Sequence, residues 1–139
     1  MTTPSVALRY RTGDLNPQLK ARIKLIPHPI WSVPGKPLYV SGKGPSASVS
    51  NDKPSGEFQR VTTETIDSLS KSVDGKVNFI KMDIEGAELE ALRGAEQTLL
   101  RDKPKLAIAV YHKLQDFWQI PEYLEHLDLG QALELARQN

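Results

Sequence analysis

No cysteine occurs in this chain, which excludes disulfides, thiolate metal sites and a cysteine nucleophile and fits a reducing, cytoplasmic setting. Long apolar runs are missing too. Nowhere do about 18 apolar residues stand together, as a membrane-spanning helix requires. The opening "MTTPSVALRYRTGDLNPQLKARIKL" lacks the apolar core of a secretion signal. Neither sign of charge prevails: 18 Lys and Arg face 17 Asp and Glu, for a net charge of +1. The basic residues are scattered, so there is no electrostatic footprint for nucleic acid. His28, His112 and His126 lack the short spacing of zinc ligands, and no metal site is expected; a hard cation on Asp83 and Glu85 is the remaining possibility. No repeat period is visible, which disfavours a solenoid or propeller.

What is present is the composition of an ordinary globular protein, 39% apolar and 25% charged. At 139 residues the chain has the size of one domain, and a chain this long buries roughly 68–70% of its unfolded surface. Pro17 to Arg22 reads as the end of a helix, and Ile23 to Pro27 as a short strand stopped by proline. A second apolar run spans Pro37 to Val40. Gly, Ser, Pro, Asn and Asp dominate Ser41 to Gly56, which predicts a long loop. Phe58 to Val61 alternates like a half-exposed strand, and Thr65 opens a short helix towards Leu69.

The second half has a clearer rhythm. Val77 to Met82 predicts a buried strand, and "AELEALRGAEQTLLRDK" a single helix whose residues Leu89, Leu92, Ala95 and Leu99 share one face. Pro104 ends it. Leu106 to Tyr111 is uninterruptedly apolar, as in a strand covered on both faces. Strand, helix and strand within about 35 residues make a βαβ unit with parallel strands. Beyond it, "LQDFWQIPEYLEHL" predicts an amphipathic helix broken near Pro121, and "GQALELARQN" a further helical piece. Trp31, Trp118 and Tyr123 read as core or rim aromatics.

Parallel sheets bind ligands at the carboxyl ends of their strands. Asp83, Glu85 and Glu88 follow one such end, and His112 with Lys113 follows the other. With neighbouring strands about 4.8 Å apart, Asp83 and His112 come within hydrogen-bond reach, as an acid/base pair requires. Glu88 has a competing reading, because a carboxylate in a first helical turn meets free amides and the helix dipole. A lone histidine after a strand, likewise, often only partners a loop carbonyl. Gly86 permits tight entry into the helix, and Gly94 inside it suggests close packing on the sheet. The "GKG" at Gly42 to Gly44 has neither the strand nor the lysine spacing of a phosphate loop.

These residues carry a resemblance. "FIKMDIEGAELEALRGAEQTL" followed by "KPKLAIAVYHKLQDFWQIPEYL" is similar to the C-terminal half of the FkbM-type S-adenosylmethionine-dependent methyltransferases. Asp83, Glu85, Gly86 and Glu88 match the family's D-x-E-G-x-E motif, and Tyr111, His112 and Lys113 its Tyr-His-Lys. "IKLIPHPIWS", "LYVSGKGPSASVS" and "FQRVTTETIDSL" follow the family's upstream order, so the resemblance spans roughly Ile23 to Leu124. The fold implied is α/β, a partial Rossmann-like class I methyltransferase sheet with flanking helices, truncated at both ends. Only 22 residues precede Ile23, and they contain no D-x-G-x-x-x-G pattern for the cofactor's glycine-rich loop.

The resemblance implies S-adenosylmethionine as cofactor and O-methylation of a hydroxyl on a sugar or natural product. It implies Asp83, His112 and Glu85 as the catalytic group, with Trp31, Ser32 and Asp83 at the cofactor and Glu85, Lys113 and Ser46 at the acceptor. The partner expected is a small-molecule or glycan acceptor, with a second copy or a complementing chain as a further partner. Two other readings stand beside it. One is a non-catalytic interaction module that pairs through exposed sheet edges. The other is a hydrolase built on Asp83 and His112, for which Ser46 and Ser48 lack the geometry of a nucleophile elbow.

Overall fold

The computed structural model describes residues 15–42 and 48–130. Chain contacts divide the protein into two compact units, one of residues 1–29 and 35–63, the other of 30–34 and 64–139. The architecture is mixed α/β, with short sheets and five helices among the described residues.

The first unit holds helix α1 (Pro17–Lys20) and strands β1 (Pro37–Ser41), β2 (Ser48–Ser50) and β3 (Phe58–Thr62). They form an antiparallel sheet in the order β2-β1-β3. Leu38 of β1 is fully buried and pairs with Val61. Tyr39 and Phe58 lie on one sheet face as diagonal neighbours and meet edge to face, with centroids 5.3 Å apart. Two expectations change here. Ser41 to Gly56 is not all loop, because Ser48–Ser50 pairs with β1 in the register Val40 to Val49. Ile23 to Pro27 is not a strand, and Pro27 brings no amide to a sheet ladder. The pairing that follows it, in the second unit, is a single parallel bridge from Ile30 to Glu64.

The second unit begins with helix α2 (Ile66–Ser70), opened as expected by Thr65, whose hydroxyl accepts the Ser68 amide at 3.1 Å. Strand β4 (Phe79–Met82) runs parallel to β5 (Lys105–Ile108), in the register Ile80 to Leu106 and Met82 to Ile108. Between them the expected single helix is two, α3 (Glu88–Arg93) and α4 (Glu96–Asp102). The break falls at Gly94 and Ala95, and its cause is tertiary. A side chain at Gly94 would come within 2.1 Å of the Trp31 carbonyl oxygen, so the glycine packs against that backbone rather than on the sheet. No local side chain caps α4. Asp67 of α2 caps it instead: one carboxylate oxygen accepts the Thr98 amide at 2.8 Å and hydroxyl at 2.7 Å, the other the Gln97 amide at 3.1 Å.

Leu92, Ala95 and Leu99 do share a buried face, and with Ile80, Met82, Ala91, Ile120, Leu124 and Leu129 they make the core of this unit. Helix α5 (Asp116–His126) is continuous through Pro121, where a break was expected. Ile120 and Leu124, four residues apart, hold one face of it in the core, and Tyr123 donates to Glu96 at 3.1 Å. Burial here outweighs the hydrogen bond that proline removes. The β4–β5 pair is covered on one face only among the described residues: Phe79 is 58% exposed, and Lys81, Lys105 and Ala107 are exposed beside it. The apolar run therefore did not mark a strand covered on both sides. Trp118, expected in the core or on its rim, is 53% exposed. The expected C-terminal helical piece lies outside the described residues. None of the described helices is long and apolar enough to cross a membrane.

Candidate functional site

The chain leaves β4 through Asp83 and Ile84 and turns sharply into α3. Glu85 and Gly86 sit at φ 59° and 88°, and the Ala87 amide donates back to the Ile84 carbonyl at 3.3 Å. Two central residues at positive φ make a primed-type turn, which favours Asn-Gly or Gly-Gly and strains a glutamate. Gly86 suits it, and the Lys113 side chain lies across its buried α-carbon, where an added methyl would meet Cε at 2.8 Å.

Glu88 closes the same turn from the helix side. Its side chain is fully buried, and Oε1 accepts the Ile84 amide at 2.8 Å. That hydrogen bond serves the turn ahead of α3 rather than a free amide of the helix, and the carboxylate has a second neighbour. His112 Nδ1 stands 3.1 Å from the same oxygen, at ion-pair distance but without hydrogen-bond alignment. On the other edge of the ring, Nε2 lies 3.4 Å from Asp83 and 3.5 Å from Glu85. Three carboxylates thus surround one half-buried imidazole, with Glu88 on the inner side and Asp83 and Glu85 towards solvent.

Two further residues join this group: Tyr111, which the Tyr-His-Lys match included without a role, and Asp116, which had no mark in the motifs. The Tyr111 hydroxyl donates to Asp83 at 2.8 Å, and its ring tilts against that of His112 at 4.3 Å. That hydrogen bond to a carboxylate, with burial and the nearby acids, pushes the Tyr111 phenol above its ordinary value. Its place at the end of an apolar run had counted it as strand core. Asp116 begins α5 almost fully buried. Burial pushes its carboxyl above the usual range, opposed by Lys113 and reinforced by Glu88. A first-turn acid in a helix was the only sequence signal for it.

The structure brings together Asp83, Glu85, Glu88, His112 and Lys113. Other expected site residues have different neighbours: the Ser32 hydroxyl donates to Glu90 on α3, the Trp31 amide donates to the Glu64 carbonyl, and its own carbonyl faces Gly94. Ser46 lies outside the described residues. Although no metal was expected, one ligand atom each from Asp83, Glu88 and His112 falls within 4.8 Å of the others.

The family model of the methyltransferase FkbM domain matches residues 18–134, which include this whole cluster and extend past the stretch where the sequence resemblance was read. The chain belongs to the FkbM methyltransferase family. Among solved structures it is similar to methyltransferase FkbM from Methylobacillus flagellatus KT, with a TM-score of 0.55 and 28% identity, over 87% of this chain and 26% of that one. The chain thus spans about a quarter of that relative's length. No curated protein matches it. Within an FkbM domain, the Asp83 to Glu88 turn and the Tyr111 to Lys113 segment sit at the carboxyl ends of parallel strands, where α/β sheets gather their ligands.

Proposed function

We propose that the chain takes part in S-adenosylmethionine-dependent O-methylation of a hydroxyl on a sugar or other natural product, at a cytoplasmic location. The observation that carries this is one imidazole set among three carboxylates at the ends of parallel strands, in a chain of the FkbM family. The β4 to β5 unit is taken as part of a Rossmann-like class I platform. Asp83 and Glu85 present partly and largely exposed carboxylates, a donor set that suits a cationic sulfonium. Ser32 has committed its hydroxyl proton to Glu90 and offers a ribose only acceptor capacity; Trp31 is taken to border the adenine.

S-adenosylmethionine, when bound, supplies an electrophilic methyl group. What remains for the protein is alignment of the acceptor and removal of its proton. Nε2 of His112 takes that proton from the acceptor hydroxyl. Glu88, beside Nδ1, stabilises the imidazolium that results. Glu85 and Lys113 orient the acceptor at the open side.

Calorimetric titration of the chain with S-adenosylmethionine, and label transfer to a panel of hydroxylated acceptors, test the reading. With no D-x-G-x-x-x-G pattern before Ile23, donor binding by the chain alone is expected to be weak, and where turnover is measured His112→Ala lowers kcat by about a hundred- to ten-thousand-fold. Full turnover in that variant would end the assignment of His112. The second reading, a non-catalytic module paired with another chain, is favoured by the bare outer face of β4 and β5, where Phe79 is exposed. A folded chain that sediments as a monomer and binds the donor would exclude it.

A further inference from the structure

The buried side of the cluster holds more acceptor capacity than the protein satisfies. Glu88 is fully buried, yet its Oε2 meets no hydrogen-bond donor, and His112 Nδ1 is buried without an aligned partner. A buried carboxylate oxygen left without a donor is costly and calls for an explanation, of which an ion is one.

The surrounding contacts hold the same groups in place. The Ile84 amide fixes Oε1 of Glu88, and the Tyr111 hydroxyl fixes Oδ1 of Asp83, as outer-sphere partners orient ligating carboxylates. Ligand atoms from Asp83, Glu88 and His112 lie within 4.8 Å of one another. An ion about 2.0–2.2 Å from each donor needs them no more than about 4.4 Å apart, a closure of at most a few tenths of an ångström that the part-exposed Asp83 carboxylate can supply.

We propose that Asp83, Glu88 and His112 form a binding site for a divalent cation of the Mn(II) or Zn(II) class, two carboxylates with one imidazole being a set such ions accept. An ion seated there engages the imidazole and takes His112 out of proton transfer, so cation and methyl transfer compete. That inhibitory consequence rests on the role of His112 proposed above; the binding itself does not.

The test is titration of the tag-free full chain with manganous chloride, followed by electron paramagnetic resonance without any methyl donor. About one ion per chain is expected, with the nitrogen modulation of a coordinated imidazole. Asp83→Asn and Glu88→Gln should each weaken binding more than about tenfold. Asp83 is exposed, so its variant keeps the test open if Glu88→Gln fails to fold. Lack of binding by the folded wild-type chain, or binding unchanged in folded variants, overturns the proposal. Because no donor is present, that failure is distinct from a His112→Ala variant that keeps its methyl transfer.

Discussion

Glu85 sits in the left-handed region with a glycine beside it, and 82% of its side chain is exposed. Nothing in local packing requires glutamate there. Asparagine tolerates that backbone far better, so Glu85→Asn should raise stability by about 1 kcal/mol in chemical denaturation, while label transfer reports what the lost carboxylate did. Asp102 presents the opposite case, a carboxylate whose work is structural. It accepts two hydrogen bonds from Arg101 and one from the Val77 amide. The Arg101 hydrogen bond first, then that of Val77, lowers its pKa from 3.8 to about 2. A depressed folded-state pKa gives stability that is full above the unfolded value and lost as pH falls through the folded one. Asp102→Asn should therefore flatten the acid limb of the urea midpoint between about pH 4 and pH 2; a slope unchanged in that window would refute the assignment.

At the level of elements, the helix-forming periodicity from Ala87 to Asp102 was legible, and the break inside it was not. Spacing reveals which residues share a face, whereas the approach of the Trp31 carbonyl to Gly94 and the cap from Asp67 depend on residues some 30 or more positions away. Asp67→Ala should cost about 1–2 kcal/mol, as loss of an N-cap does, with thermal unfolding as the readout. Pro121 erred the other way: a local rule forecast a break that core burial of Ile120 and Leu124 overrides. Removing the proline should then stabilise, and Pro121→Ala is expected to gain up to about 3 kcal/mol. A neutral or destabilising result would show that proline is tolerated for a reason other than packing.

Across the whole molecule, the motif residues were the most readable part, because D-x-E-G-x-E and Tyr-His-Lys each sit next to a strand end whose apolar run is plain. The hydrogen bond from Tyr111 to Asp83 and the burial of Asp116 were less readable, since neither has a signature in spacing. The sheet face was misread for a related reason: apolar residues mark what a strand tolerates, and only tertiary neighbours decide what covers it. With a net charge of +1 and a pI near 8.0, the chain should scatter light most strongly near pH 8, where little net repulsion keeps copies apart. The cap on helix α4 has a consequence in time. That helix is seven residues long, too short to persist alone in water, and its cap arrives only when the chain from Asp67 to Thr98 has closed into a loop. Helix α4 cannot be an early local event; its amides should gain hydrogen-exchange protection together with those of α2, as one cooperative step.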